Sequence, residues 1–402
     1  MVRKLNWGRS CVNCANSLNS LKSASGKKAT PSPIIIIGLM LMMFLASCSW
    51  PTKNNDPDGG TTKDDPKNDD TITLYTGINV AVVTIAADYS AANFEIISTK
   101  DYSVTSNLYS GLHTDLAVKT FNNEIYILER MGSDKVIKYS KQLKLAYEEA
   151  LGSGLNIQDI VVVSETKAYI SALNSSDLIV FNPAAGKKVS TIDLSEFVAF
   201  AGTEDAAEHP FVGALAVYGN YVYAACQRLK NFEPADVSQI AIININTDEI
   251  AGSIDLKRKN PQAMSIYGNK MLVASSGDYG FTEDGGIELI DLASNKNEGV
   301  IAEGVFTDVI FVSADKAYIA QMRSDWSTGI LPLDLSAKTV GTGITGIDDG
   351  SGGMAFREGK LYVGGRGFTS AGVAVVTIST NTVDQTITTG MPPTGLAIFS
   401  AD

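Results

Sequence analysis

The chain has 402 residues, 45% of them hydrophobic, with 36 glycines and a formal net charge of −12. That length would hold two or three ordinary domains unless the chain is a repeat array, and the apolar and glycine content suits an all-β protein with many turns. The excess of acid argues against a nucleic-acid partner.

In chain order, the first 47 residues carry Arg3, Lys4, Arg9, Lys22, Lys27 and Lys28 and no acid. An apolar run from Ile34 to Leu45 follows and ends in small residues. This is the grammar of an export signal, and the run is too short for a spanning helix. The ending Leu45-Ala46-Ser47-Cys48 resembles the lipobox of bacterial lipoproteins. The resemblance implies a lipid on Cys48, and Ser49 after it implies the outer rather than the inner membrane. Residues 51–70 contain no hydrophobic residue and read as a solvated tether, giving segments 1–47, 48–70 and 71–402. Without the signal, 26 basic residues face 44 acidic ones, a net of −18 that favours solubility. Cys11 and Cys14 fall in the removed segment, which leaves Cys226 alone in an apolar strand as a small hydrophobe.

From residue 71 onward the pattern repeats. Val80 to Ile85 reads VAVVTI, and so does Val373 to Ile378; Leu74 to Gly77 also aligns with Leu361 to Gly364. A ladder of Tyr75, Tyr126, Tyr169, Tyr223, Leu272, Tyr318 and Tyr362 is spaced by 51, 43, 54, 49, 46 and 44 residues. That is the length of a four-stranded propeller blade. Each copy reads as short alternating strands punctuated by Gly, Asn and Asp turns. Residues 71–100 lack a first strand, and 394–400 supplies one, so both termini complete one blade and close the ring. The expected fold is therefore an all-β, seven-bladed β-propeller. Asp159 to Val163, Ala168-Tyr169-Ile170 and the run Gly186 to Leu194 resemble YVTN-type (YncE-like) propeller repeats. The resemblance covers residues 71–402 and implies a fold far more than a function.

The second strands end in Arg130, Asn174, Arg228, Gly277, Arg323 and Arg366, and the loops after them carry Phe232, Tyr279, Phe281, Trp326 and Phe368. Arginine forks suit carboxylate or phosphate and aromatic faces suit rings, so the set fits an anionic or ring-bearing ligand. The same arginines also fit ion pairs with Asp115, Asp159 and Asp308. A long insertion at 197–210 and a long loop at 228–237 mark the third repeat as the place where a site would gather. Catalysis has thin support. His113 and His209 are the only histidines, no nucleophile or metal motif is present, and no metal or cofactor is expected. The acidic, glycine-rich stretches 278–286 and 348–353 lack calcium-loop spacing and read as turns. The reading in first place is a lipid-anchored binding protein of the bacterial outer membrane, with Arg228 and Arg323 as anion anchors. Such a protein could hand solute to an outer-membrane transporter. A lyase or lactonase using His113 or His209 comes second, and a protein-interaction scaffold third.

Overall fold

A computed structural model describes residues 76–109, 111–279, 284–367 and 371–401. The expected export signal, Cys48, the expected tether, Tyr75, Phe281 and Phe368 lie outside the described residues. The rest forms seven four-stranded antiparallel sheets. Blade one runs through Leu116–Phe121, Glu124–Glu129, Lys135–Tyr139 and Leu145–Ala150. Blades two to six begin with the inner strands Ile157–Ser164, Val212–Tyr218, Pro261–Tyr267, Phe306–Phe311 and Met354–Arg357. The closing blade takes its inner strand, Pro393–Ser400, from the C-terminus. Ile78–Ile85, Ala92–Ser98 and Val104–Thr105 from the N-terminal end complete it. Each inner strand packs between those of the preceding and following blades, so the ring is closed and no inner edge is free. Apart from a 3₁₀ turn at Ser195–Phe197, the described residues contain no helix.

Two details of the sequence reading change. The VAVVTI segments do not mark equivalent strands: one lies in the second strand of the closing blade, the other largely in Gly372–Thr377, the third strand of blade six. Second and third strands are both sandwiched between neighbouring blades, so the same β-branched run serves either place. The ladder position of the closing blade accordingly falls on Ala81, which pairs with Ala397 of the inner strand and packs in the seam to blade one, as Tyr126 pairs with Lys119 and packs towards blade two. The fourth strand also lies beyond residue 100, at Val104–Thr105.

The ladder explains how blades dock. Tyr126, Tyr169, Tyr223 and Tyr318 are at most 1% exposed, each filling the seam to the next blade. Burying an aromatic side chain of that size contributes about 2–3 kcal/mol. Three of the hydroxyls also cross the seam. Tyr169 bonds Asp248 Oδ1, Tyr223 bonds Asn295 Oδ1 at 2.9 Å, and Tyr318 bonds Asn381 Oδ1. All three acceptors sit in the turn between the third and fourth strands of the next blade, with φ of 57°, 51° and 56°. Asn and Asp tolerate that left-handed backbone, and the same residue offers its side chain to the tyrosine. Lys167 and Lys316, two residues before their tyrosines, bond the carbonyls of Ile245 and Ile378 in the same turns. Blade one begins its second strand with Glu124 instead, and Lys138 of the third strand, paired with Glu124 at 2.8 Å, reaches Pro183 O of blade two.

Buried carboxylates hold the connectors between blades. Glu288 accepts from the backbone N–H of Lys257 and Arg258 at 2.6 and 3.0 Å. Glu129 accepts from His113 N at 2.8 Å and Glu95 from Gly390 N at 3.1 Å. Burial raises the Glu288 and Glu95 carboxyls above their ordinary range despite these donors. The connectors they fix form half of the face that carries the site.

Candidate functional site

The loops from second to third strands and the connectors from fourth to first strands meet on one face, called the upper face below. Four loop tips there display a large apolar residue: Tyr89 at 48% exposed, Met131 at 37%, Phe232 at 40% and Trp326 at 44%. Each has positive φ (59°, 24°, 63° and 69°). Side chains of this size avoid that region, at a cost of about 1–3 kcal/mol each, and residues held there concentrate at binding surfaces.

The four arginines meet different fates. Arg130 donates from Nε to Asp115 Oδ1 at 2.8 Å, pairs with the same carboxylate through Nη2, and reaches Gln158 Oε1 of blade two at 3.2 Å. Arg228 is 9% exposed; its Nη2 bonds Asp236 Oδ2 at 2.7 Å and Val198 O at 3.2 Å, stapling the 228–237 loop to the 197–210 insertion. That guanidinium holds loops together and is not open to a ligand, since Asp236 of its own loop and the Val198 carbonyl of the insertion supply partners the spacing did not reveal. Arg323 is exposed and bonds Ser327 Oγ at 3.0 Å and Asp348 O at 3.2 Å. Its guanidinium lies so close over Gly329 that a Cβ there would stand 2.5 Å from Nη2, so glycine lets the fork lie flat on this strand. Arg366 is half-buried, and its side chain has no partner among the described residues.

Arg323, Trp326 and Arg366 come together in a groove of about 770 Å³ between blades five and six. Its remaining wall is the 343–349 connector with Asp348 and Asp349. Asp349 Oδ1 accepts from Thr328 N at 3.1 Å and Ser351 N at 3.2 Å, which is turn chemistry. Asp325 accepts from Ser327 N and Oγ, and these bonds hold its carboxyl below the usual range. Among the described residues, the charged side chains of the groove that make no hydrogen bond are therefore Arg366 and Asp348. Phe232 lines a different groove, between blades two and three. Tyr279 turns inward, its hydroxyl against Ser276 and Asn260, and burial raises its pKa.

The ring encloses a central channel of about 580 Å³ with charged groups that the strand-end pattern did not single out as a site. Lys119 of blade one pairs with Asp159 of blade two at 3.0 Å. Asp159 also accepts from Ile160 N at 2.8 Å and, across the seam, from Leu215 N at 3.0 Å. Asp308 lines the same channel, accepts from Val309 N at 2.8 Å and from Met354 N of the next blade. Burial lifts its carboxyl to about 6, against the pull of Val309 N and Lys119. Asp159 and Asp308 thus find a lysine or no cation, not the rim arginines. The signal for them was an acid within an apolar inner strand.

His113 and His209 stand on different connectors. His113 Nδ1 accepts from Asp115 N at 3.1 Å, and His209 lines the groove between blades two and three. Among the described residues no three His, Cys, Asp or Glu side chains are grouped to hold a metal ion. Cys226 is fully buried, and burial pushes its thiol up to about 12, so it is an inert core residue.

These features define a seven-bladed β-propeller with grooves on its upper face. No family model matches the chain, and no curated protein matches it. Among solved structures, the chain is similar to Kuenenia stuttgartiensis hydrazine synthase at 14% identity and a TM-score of 0.57, covering 70% of this chain and 88% of that one. It also aligns with apo AztD from Citrobacter koseri at 12% identity (81% and 98% covered, TM-score 0.48). The computationally designed Ika8 protein aligns at 13% identity (78% and 86% covered, TM-score 0.49). At such identities the likeness shows the fold alone.

Proposed function

We propose that this chain is a binding protein whose upper face takes a small anionic, ring-bearing ligand in the groove between blades five and six. The observation that carries the reading is Arg366, a guanidinium with no partner among the described residues, lining the same groove as the exposed, left-handed Trp326 and the propped fork of Arg323. Arg366 and Arg323 suit a carboxylate or phosphate, Trp326 suits a ring face, and Asp348 suits a hydroxyl or amine on the same ligand.

Lipid on Cys48 at a bacterial outer membrane, and hand-over to an outer-membrane transporter, belong to the same proposal, as does kinship with YVTN-type (YncE-like) propellers. The described chain enters and leaves the propeller on the lower face, where Ala401 N and Ser400 Oγ bond Gly77 O at 3.1 and 3.3 Å.

The test is thermal-shift screening against acidic sugars, corrinoids, other anionic metabolites and divalent metals. A ligand at 100-fold its Kd adds about 2.7 kcal/mol to stability. The shift is expected to vanish in Arg366→Ala and Trp326→Ala. A shift unchanged in both variants, or no shift across the panel, overturns the proposal.

A further inference from the structure

The groove between blades two and three differs in chemistry from the one just described and shares no lining residue with it. It has a volume of about 550 Å³, between the 197–210 insertion and a hairpin, Leu229–Lys230 paired with Glu233–Pro234. One wall is aromatic. His209 meets Phe211 edge to face with centroids 6.1 Å apart, and Phe211 meets Phe232 at 5.7 Å. Phe211 and Phe232 both hold positive φ, 57° and 63°, and Phe232 is 40% exposed. The other wall is polar. Asn174, Glu208 and Asn231 line it, and their side-chain amides and carboxylate have no partner among the described residues. The Nδ1 atom of His209 is buried and has no hydrogen-bond partner. A buried polar atom without a partner costs about 1–3 kcal/mol, so the groove holds unused hydrogen-bonding capacity.

The one cation of the groove is already engaged: Lys230 Nζ bonds Asp205 O at 3.0 Å and Oδ1 at 3.3 Å and lies 6.0 Å over the Phe200 ring. With Glu208 added, the groove is uninviting to an anion. Its free groups are two amides, a carboxylate and an imidazole beside aromatic faces. That combination matches a pyranose ring, which has one face of C–H groups to stack and a rim of hydroxyls to donate and accept. We infer that this groove is a second, separate site that binds a neutral saccharide, with Phe232 as the stacking platform and His209, Asn174 and Asn231 as hydroxyl partners.

Only two histidines exist in the chain, so the imidazole carbon–proton spectrum of the full-length protein, labelled with ¹³C at histidine Cε1 alone and held in a sugar-free detergent, has two signals. His209→Gln assigns them. The probes are glucose, galactose, mannose, N-acetylglucosamine, maltose and cellobiose. At least one is expected to move the His209 signal saturably and leave His113 still. Phe232→Ala is expected to weaken that response at least tenfold, and Trp326→Ala to leave it unchanged. An unmoved His113 signal in each variant shows that the fold is intact. The proposal is overturned if no probe moves His209, if both histidines move together, if Phe232→Ala responds like the parent, or if Trp326→Ala abolishes the response.

Discussion

Asp308 shows how one channel residue makes stability depend on pH. Its carboxyl titrates near 6 because burial disfavours the charge more than Val309 N and Lys119 favour it. The folded state therefore holds this proton more tightly than the unfolded chain does. The stability it contributes is present below the ordinary carboxylate pKa and is lost as pH rises through about 6. Asp308→Asn is expected to stabilise the protein at pH 8 by at most about 3 kcal/mol, less where channel water screens the charge. The gain should disappear towards pH 4, as read from melting temperatures of both proteins across that range. A second residue-scale test concerns Gly329. Because Arg323 overlies it and is exposed, Gly329→Ala should displace the guanidinium with little change in melting temperature, while ligand affinity in the blade five and six groove falls severalfold by calorimetry. At this scale the sequence was only partly informative. Arginine at the end of a second strand was readable four times over, but its use depends on which acid its own loop or the adjoining connector brings. Asp236 for Arg228, and no partner for Arg366 among the described residues, are properties of loops whose paths spacing does not determine.

Among the elements, the seams between blades follow a rule that the ladder half reveals. Every third-to-fourth-strand turn carries a left-handed residue, and three of them, Asp248, Asn295 and Asn381, take the hydroxyl of the preceding blade's tyrosine. Where the ladder holds Leu272 or Ala81, the following blade offers Lys338 or Leu143 in the turn, and no hydroxyl bond is needed. Tyr223→Phe should cost about 1 kcal/mol in denaturant unfolding, the net value of one such bond. Asn295→Ala should cost about 2 kcal/mol, because alanine also resists the left-handed backbone. Equal costs would show that the turn conformation carries no penalty. The tyrosines and the turn residues were each visible in the sequence; their pairing was not, because it joins positions more than 60 residues apart across a seam. The repeated VAVVTI segments show the opposite failure, an identity that reports burial on both faces and says nothing about strand number.

For the molecule as a whole, closure depends on ten residues at the C-terminus. Pro393–Ser400 pairs with Ile78–Ile85 along its length and supplies the inner strand of the last blade. Removing residues 393–402 leaves that edge unpaired and the ring open, so the truncated chain should self-associate, as size-exclusion chromatography with light scattering would show. A monomer with the parent's melting temperature would contradict the closure. This was the level at which the sequence spoke most clearly, since period, alternation and the missing first strand all constrain one ring. The grooves were less clear: the arginine and aromatic set is divided between two of them, and Phe232 and Trp326 do not share a site. Trp326 provides the most direct test of the binding proposal, because it is the one tryptophan beyond Trp7 and Trp50. In a Trp7→Phe, Trp50→Phe background, its emission should change saturably with an anionic, ring-bearing ligand, and Arg366→Ala should weaken that response at least tenfold. Emission that no member of the panel alters, or a response indifferent to Arg366, would contradict the account.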